Sequence, residues 1–187
     1  MNNLTTSDSA KRSFPLRSSL NWLMLLALLL AGCRADQATK NWAQSEFRDK
    51  PALTMVPDLL EFRYVENRAI AFSMFHDLSD RVRTPLILTL TSLALVALLS
   101  VMWKMRHQGL LRLLPLSLIL AGAVGNLQDR LTHGYVVDFI HVHWQGTWSF
   151  PIFNLADSLI TVGASLLLLF SVLKTPQIAE EAGGNPA

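Results

Sequence analysis

The sequence predicts an all-α membrane protein: four transmembrane helices with a small β-sheet or loop element on one side of the bilayer. Three observations lead there. Of 187 residues, 51% are hydrophobic and only 16% charged, against roughly 25% charged in an average soluble domain. Apolar runs recur at lengths suited to a bilayer core of about 30 Å, which takes roughly 20 helical residues to cross. The charged and amide residues that interrupt these runs gather at their ends on one side, where such groups are costly unless they face a protein interior or a watery cavity.

The same composition excludes other classes. The formal net charge is +2 and the Lys and Arg residues are spread along the chain, so no basic stripe for nucleic acid exists. Cys33 is the single cysteine, which rules out an internal disulfide framework or thiolate metal cluster.

The first element can be read in two ways. In "LLLAGCRADQATK", residues 28–40, an apolar run behind Lys11, Arg12 and Arg17 ends in Leu30-Ala31-Gly32-Cys33, like the lipid-attachment box of a lipoprotein precursor cut before the cysteine. Alternatively the helix continues through Asp36 and Lys40, making a span over residues 20–42. The second span covers residues 86–103. The third covers 113–127 and holds Ala121 and Gly125 at i, i+4, small residues that let helix backbones approach in lipid. The fourth covers 152–173, long enough to cross with some tilt. Lys11, Arg12 and Arg17 before the first span, and Lys104, Arg106 and Arg112 between the second and third, place those sides in the cytoplasm. Arg81 and Arg83 fall on the other side, but in a longer loop beside Asp77 and Asp80. The organisation is then a cytoplasmic segment over residues 1–19, a four-helix membrane domain over 20–173, and a disordered cytoplasmic tail over 174–187. "LEFRYVENRAIAFSMF", residues 60–75, is rich in aromatic and β-branched residues with partial alternation, as a strand pair resting on the membrane would be.

By this topology Asp36 and Lys40 end the first span, Asn126, Asp129 and Arg130 end the third, Asp138 lies in the next loop, and Asn154 and Asp157 begin the fourth. Separate stretches thus deliver carboxylates, amides and cations to one depth. Each has a plainer reading. Asp36 and Lys40 suit an i, i+4 ion pair at a helix end. Asn154 and Asp157 suit an N-cap with an acid in the first turn. Asp138 resists such a reading, because it sits between Val137 and Phe139, where an unpartnered carboxylate is expensive.

Two aspartates with apolar neighbours and a water between them can hydrolyse a peptide. One, ionised, takes a proton from water while the other, neutral, hydrogen-bonds the scissile carbonyl, and repulsion keeps one proton shared between them. Asp138 and Asp157 are the best candidates, with Asp157 the initial base because the helix dipole favours its ionised form. Competing chemistries lack parts. His141 and His143 could meet on one face of a strand, but no third metal ligand or helical His-Glu-x-x-His is visible. Ser73 and Ser158 lack a nucleophile-elbow surround, and the Cys33 thiol lies in an apolar run that leaves it unreactive.

"GAVGNLQDR" (residues 122–130), "VVDF" (136–139) and "FNLAD" (153–157), in that order and spacing, resemble the prolipoprotein signal peptidase family, also called signal peptidase II. The resemblance runs from about residue 20 to 173. It implies a bacterial inner-membrane aspartyl endopeptidase with four spans and both termini cytoplasmic. Its active site would lie near the periplasmic face. Such an enzyme removes signal peptides from lipid-modified prolipoproteins by cutting before the diacylglyceryl-modified cysteine, working in membrane lipid, as a monomer, and without metal or other cofactor. It further implies that Asp138 and Asp157 are the catalytic pair and that Asp36 and Lys40 form the first motif. Asn67 would be a loop asparagine near the active site, and Asn126 and Arg130 would hold the peptide backbone, with Asp129 and Asn154 beside them. Two departures stand out. The family's Asn-x-Gly-Ala reads Asn67-Arg68-Ala69-Ile70 here, leaving the turn after Asn67 less free to reach positive φ. Ala121-Gly122 replaces paired glycines, adding one methyl at a helix contact that should be tolerated. On this resemblance the chain is the enzyme and keeps its first helix. Set against it are a non-catalytic membrane lipoprotein or scaffold anchored through Cys33, and a small proton-coupled transporter; for the latter, no self-similarity between the halves is visible.

Overall fold

The apolar runs form helices, and each helix extends beyond its apolar stretch. The computed structural model describes residues 14–68 and 79–173. Among them the elements run α1 (Phe14–Phe47), β1 (Leu53–Val56), β2 (Leu60–Asn67), α2 (Asp80–Lys104), α3 (Leu110–His133), β3 (Val136–Trp144), β4 (Trp148–Ser149) and α4 (Leu155–Leu173). The expected tail over 174–187, most of the amino-terminal segment, and the turn at Ala69 and Ile70 lie outside the described residues.

Helix α1 passes through Cys33 without a break and runs five residues beyond Trp42, the expected end of the first span, to Phe47. Arg34, Asp36 and Lys40 are therefore residues of a continuous helix, and Asp36 and Lys40 do not sit at its end. Among the described residues, three helices are long and apolar enough to cross a membrane: Arg81–Lys104, Leu110–His133 and Leu155–Leu173. In the second half of α1, Asp36, Gln37 and Lys40 fall within two turns.

Helix α3 is the central one. Half of its most apolar window is buried, against 11% for those of α2 and α4. At one end Leu25 of α1, Met102 of α2 and Leu113, Leu116 and Leu120 of α3 make a buried cluster, with Trp22 and Met105 against it. Outward-facing Leu23, Leu26, Leu93, Val96, Leu168 and Val172 stay exposed, as lipid-facing side chains would. Small residues set the spacing of the helices. A Cβ on Gly122 would run into the Ala156 carbonyl oxygen of α4, and one on Gly163 would meet the Pro115 carbonyl of α3. The expected close approach at Ala121 and Gly125 is present on the α1 side: Ala121 is buried, and a Cβ on Gly125 would lie 2.6 Å from Asp36 Oδ2. Gly122→Ala is accordingly expected to lower stability by about 1–3 kcal/mol, because overpacking forces two backbones apart. A thermal unfolding midpoint in detergent equal to wild type would show that α3 and α4 are not packed this tightly.

The sheet crowns the opposite end. Its order is β1-β2-β3-β4, antiparallel throughout. Of the strand pair expected over residues 60–75, Leu60–Asn67 forms β2 and residues 69–75 lie outside the described residues; β2 makes a hairpin with the preceding segment, Leu53–Val56. The reversal falls at Pro57-Asp58, where Asp58 takes φ 59°, a left-handed conformation that Asp tolerates better than most residues. The longer partner, β3, comes from beyond α3. Gly134 ends α3 in the left-handed conformation (φ 80°) with its N–H on the Arg130 carbonyl, a glycine stop that turns the chain sharply into β3. Trp42 and Phe47 of α1, Phe62 of β2 and Phe139 of β3 meet mostly edge to face at centroid distances of 4.9–6.2 Å. That aromatic cluster seats the sheet on the end of α1.

Candidate active site

Asp138 lies on β3 four residues beyond the Gly134 helix stop, opposite Val65 of β2. The next segment runs back along it: the N–H groups of Phe139 and Ile140 donate to the Phe153 carbonyl at 3.1 and 2.8 Å, and Phe153 N–H donates to the Ile140 carbonyl at 3.0 Å. This bridge places Asn154, the residue before α4, against β3. Asn154 Oδ1 accepts from Asp157 N–H at 2.9 Å while Asp157 Oδ2 accepts from Asn154 N–H at 3.2 Å. The two residues thus cap α4 reciprocally, satisfying N–H groups that a helix start leaves without partners. The capping expected from the sequence is real, and it does a second job. Asn154 Nδ2 donates to Asp138 Oδ1 at 2.7 Å, with the Val137 carbonyl and Asn126 Oδ1 each at 3.2 Å. One asparagine therefore holds both carboxylates, Asp157 through its backbone and Asp138 through its amide.

The other carboxylate oxygens are also held. Asn67 Nδ2 donates to Asp138 Oδ2 at 2.8 Å, across the β2–β3 pair, and Asn126 Nδ2 donates to Asp157 Oδ1 at 2.8 Å. Beneath them lies a buried layer of charge. Lys40 Nζ, 2% exposed, sits 2.8 Å from Asp36 Oδ2 and 2.9 Å from Asp129 Oδ2, and donates to Asn126 Oδ1 at 3.0 Å. Asp36 Oδ1 accepts from Ala156 N–H in the first turn of α4 at 2.9 Å, where the helix dipole favours an anion. Asp129 Oδ2 also accepts from Val137 N–H at 3.1 Å, which fixes the start of β3. No buried side-chain nitrogen or oxygen among the described residues lacks a hydrogen-bond partner, so the layer is satisfied in the way a buried polar network must be.

Asp138 and Asp157 open on one cavity of about 480 Å³, which also exposes Asn67, Asn126 and Arg130 and is walled by Phe150, Ile152, Phe153, Ile160 and Val162. Burial pushes the Asp138 carboxyl up to about 7, and the charge of Asp157 adds to this, against the hydrogen bonds from Asn67 and Asn154 and the charge of Lys40. A carboxyl that keeps its proton up to about pH 7 on a fraction of molecules, beside a second carboxylate, is equipped for acid and base work in one step.

Every residue expected at the site is near it, in two tiers: Asp138, Asp157, Asn67, Asn126 and Arg130 line the cavity, while Asp36, Lys40 and Asp129 lie behind, with Asn154 joining the tiers. Gln37 was missed; its Nε2 donates to Asp129 Oδ1 at 2.8 Å. Its signal was an amide inside a span, next to Asp36. The objection that His141 and His143 lack a third ligand also needs correction. Glu61 of β2 lies opposite His141 in register, and one donor atom from each of the three falls within 4.8 Å of the others.

The family described as signal peptidase (SPase) II matches residues 26–173. A lipoprotein signal peptidase of Pseudomonas aeruginosa (strain UCBPP-PA14) is 39% identical over 166 residues, 88% of this chain and 95% of that one. That of Chlorobium phaeobacteroides is 39% identical over 158 residues, 81% of this chain and 90% of the other, and that of Clostridium tetani is 33% identical over 149 residues, 80% and 92%. A solved bacterial membrane enzyme superposes with TM-score 0.66 at 28% identity, covering 81% of this chain and 94% of its own. A second, at 24% identity and TM-score 0.67, covers 88% and 94% and shares the fold.

Proposed function

The chain belongs to the signal peptidase II family, and on that premise we propose that it removes signal peptides from bacterial prolipoproteins, cutting before a diacylglyceryl-modified cysteine by aspartic chemistry. The observation that carries the reading is the pair of carboxylates held by Asn154 on one half-apolar cavity. Asp157, ionised, takes a proton from a water lying between the two acids. The hydroxide so formed attacks the scissile carbonyl carbon, and Asp138 gives its proton to the oxygen that becomes negative. The tetrahedral carbon then expels the amine, which takes the proton held by Asp157, while Asp138 recovers one from the hydroxyl as the carbonyl reforms. Arg130 and the Asn126 amide border the cavity where a peptide backbone would need donors and acceptors, and the Phe150, Ile152 and Ile160 wall suits the apolar stretch of a signal peptide.

On this reading α1 also crosses the bilayer as a fourth span, its polar outer half shielded by α3 and α4. Lys104, Arg106 and Arg112, at the end of the bundle away from the sheet, mark the cytoplasmic side. Both termini are then cytoplasmic, the acid pair faces the periplasm, and the enzyme acts as a monomer in membrane lipid. The scaffold and transporter readings find no support in the comparisons with known proteins.

Incubating the purified chain in detergent with a diacylglyceryl-modified precursor should release a peptide ending just before the cysteine, and the unmodified precursor should stay intact. Equal cleavage of both would remove lipid recognition from the proposal. Activity should persist in excess chelator, since neither acid needs a metal; loss restored by zinc would replace the acid pair with metal catalysis.

A further inference from the structure

On the sheet, away from the two acids, Glu61 and His141 stand directly opposite each other on β2 and β3. His143, two residues further along β3, projects to the same face as His141, as the alternation of a strand requires. His141 Nδ1 lies 2.7 Å from Glu61 Oε1, and His143 Nε2 lies 4.0 Å from Glu61 Oε2, with the two rings 5.0 Å apart and tilted by 30°. The first contact is a hydrogen bond and the second is too long to be one. Two imidazoles therefore converge on the two oxygens of one carboxylate, and a hydrogen bond accounts for only one of them. From the side away from Glu61, His141 Nε2 meets Ser149 Oγ of β4 at 2.7 Å, a contact that fixes the ring and, with the proton on Nε2, leaves Nδ1 as a metal donor.

We propose that Glu61, His141 and His143 form a binding site for a divalent transition-metal ion of the zinc class, one that clips β2 to β3 and takes no part in peptide cleavage. Imidazole and carboxylate donors suit zinc, copper and nickel, whereas calcium and magnesium want oxygen ligands throughout. Bonds of about 2.0–2.1 Å at tetrahedral angles set donor atoms roughly 3.3 Å apart. The three donors, within 4.8 Å of one another, reach that spacing by small side-chain rotations. Water fills the fourth position. The half-buried side chains, 12% exposed for His141 and 20% for His143 and Glu61, leave a path for the ion. Arg63 Nη1, 3.7 Å from Glu61 Oε1, is the competing cation, and it turns away toward solvent when the metal binds.

The test uses the full chain, without a histidine tag, stripped of metal in detergent and titrated with Co²⁺ as a visible probe, then with Zn²⁺. We expect one equivalent of Co²⁺ with the intense visible absorption of a four-coordinate ion, displaced by Zn²⁺. His141→Ala with His143→Ala should weaken binding by about tenfold or more, while His107→Ala, an exposed histidine elsewhere, should leave it unchanged. Glu61→Gln, which keeps size and a hydrogen-bond acceptor for His141, provides the same test if the double variant fails to fold, and it too should lose about tenfold or more. No Co²⁺ bound by the wild type at millimolar concentration, or equal affinity after these substitutions, would overturn the proposal. Precursor cleavage by the Glu61→Gln variant at wild-type rate separates this site from the acid pair; loss of cleavage on Zn²⁺ removal alone would contradict the non-catalytic role.

Discussion

Asp138→Asn and Asp157→Asn should each reduce precursor cleavage by at least about 10³-fold, the upper part of the range for losing a positioned acid or base. Each removes a titrating group at nearly constant size. The two are not equivalent structurally. Asp138 receives two donors, Asn67 on Oδ2 and Asn154 on Oδ1, so an amide there must set its own NH₂ against one of them. The Asn67 amide borders the cavity and can turn, which keeps the structural cost small. Asp157 receives Asn126 on Oδ1 and the Asn154 backbone N–H on Oδ2; an amide at 157 loses one of these and weakens the cap of α4 by about 1 kcal/mol. Both variants should therefore still unfold cooperatively in detergent, with Asp157→Asn slightly less stable. The pH profile gives the sign. Asp138 must be neutral to hydrogen-bond the carbonyl, and its carboxyl is pushed up to about 7, so activity should fall as pH rises through that value. Asn67→Ala removes a hydrogen bond that favours the ionised form, and should move this alkaline limb upward. Turnover by either Asn variant at a tenth of wild type, or an alkaline limb unmoved in Asn67→Ala, would count against Asp138 and Asp157 in these roles.

Local signals were legible in the sequence and pairings between distant segments were not. Apolar length gave α2, α3 and α4 because a helix satisfies its own backbone, and the Asn154-x-x-Asp157 cap was visible because both partners lie within one turn. That the same Asn154 amide would reach Asp138 depends on the Phe153–Ile140 bridge, which only the fold creates. The strand over residues 60–67 is readable from its aromatic and β-branched residues, but its pairing with Leu53–Val56 across the Pro57-Asp58 turn joins two segments that this composition alone does not link. Glu61 could not be joined to His141 by inspection: 80 residues separate them, and β2 and β3 become neighbours only after α2 and α3 have been threaded between. Asp36 and Lys40 were correctly paired by spacing, yet their partners Asp129 and Ala156 come from two other helices.

Lys40→Met should destabilise the protein by about 3–5 kcal/mol, the usual cost of removing one member of a buried ion pair. Methionine fills much the same volume and suits a helix, so the loss is one of charge and hydrogen bonding. Without the ammonium, the carboxylates of Asp36 and Asp129, 0% and 1% exposed, lose their shared cation, and Asn126 Oδ1 loses a donor. Asp36 is still tied to Ala156 N–H and Asp129 to Gln37 and Val137 N–H, so the helices are held together around uncompensated charge. The damage should reach the cavity, because the Asn126 side chain that Lys40 orients is the one that donates to Asp157. Cleavage should therefore fall in Lys40→Met even at temperatures where the protein stays folded. Adding Asp36→Asn should recover part of the stability, since a neutral amide needs no cation and can still accept from Ala156 N–H; contacting residues are expected to be non-additive in this way. Thermal unfolding in detergent of the two single variants and the double variant measures the coupling. If Lys40→Met unfolds within about 0.5 kcal/mol of wild type, or if the two losses simply add, then Lys40 is not the charge that the acids behind the active site depend on.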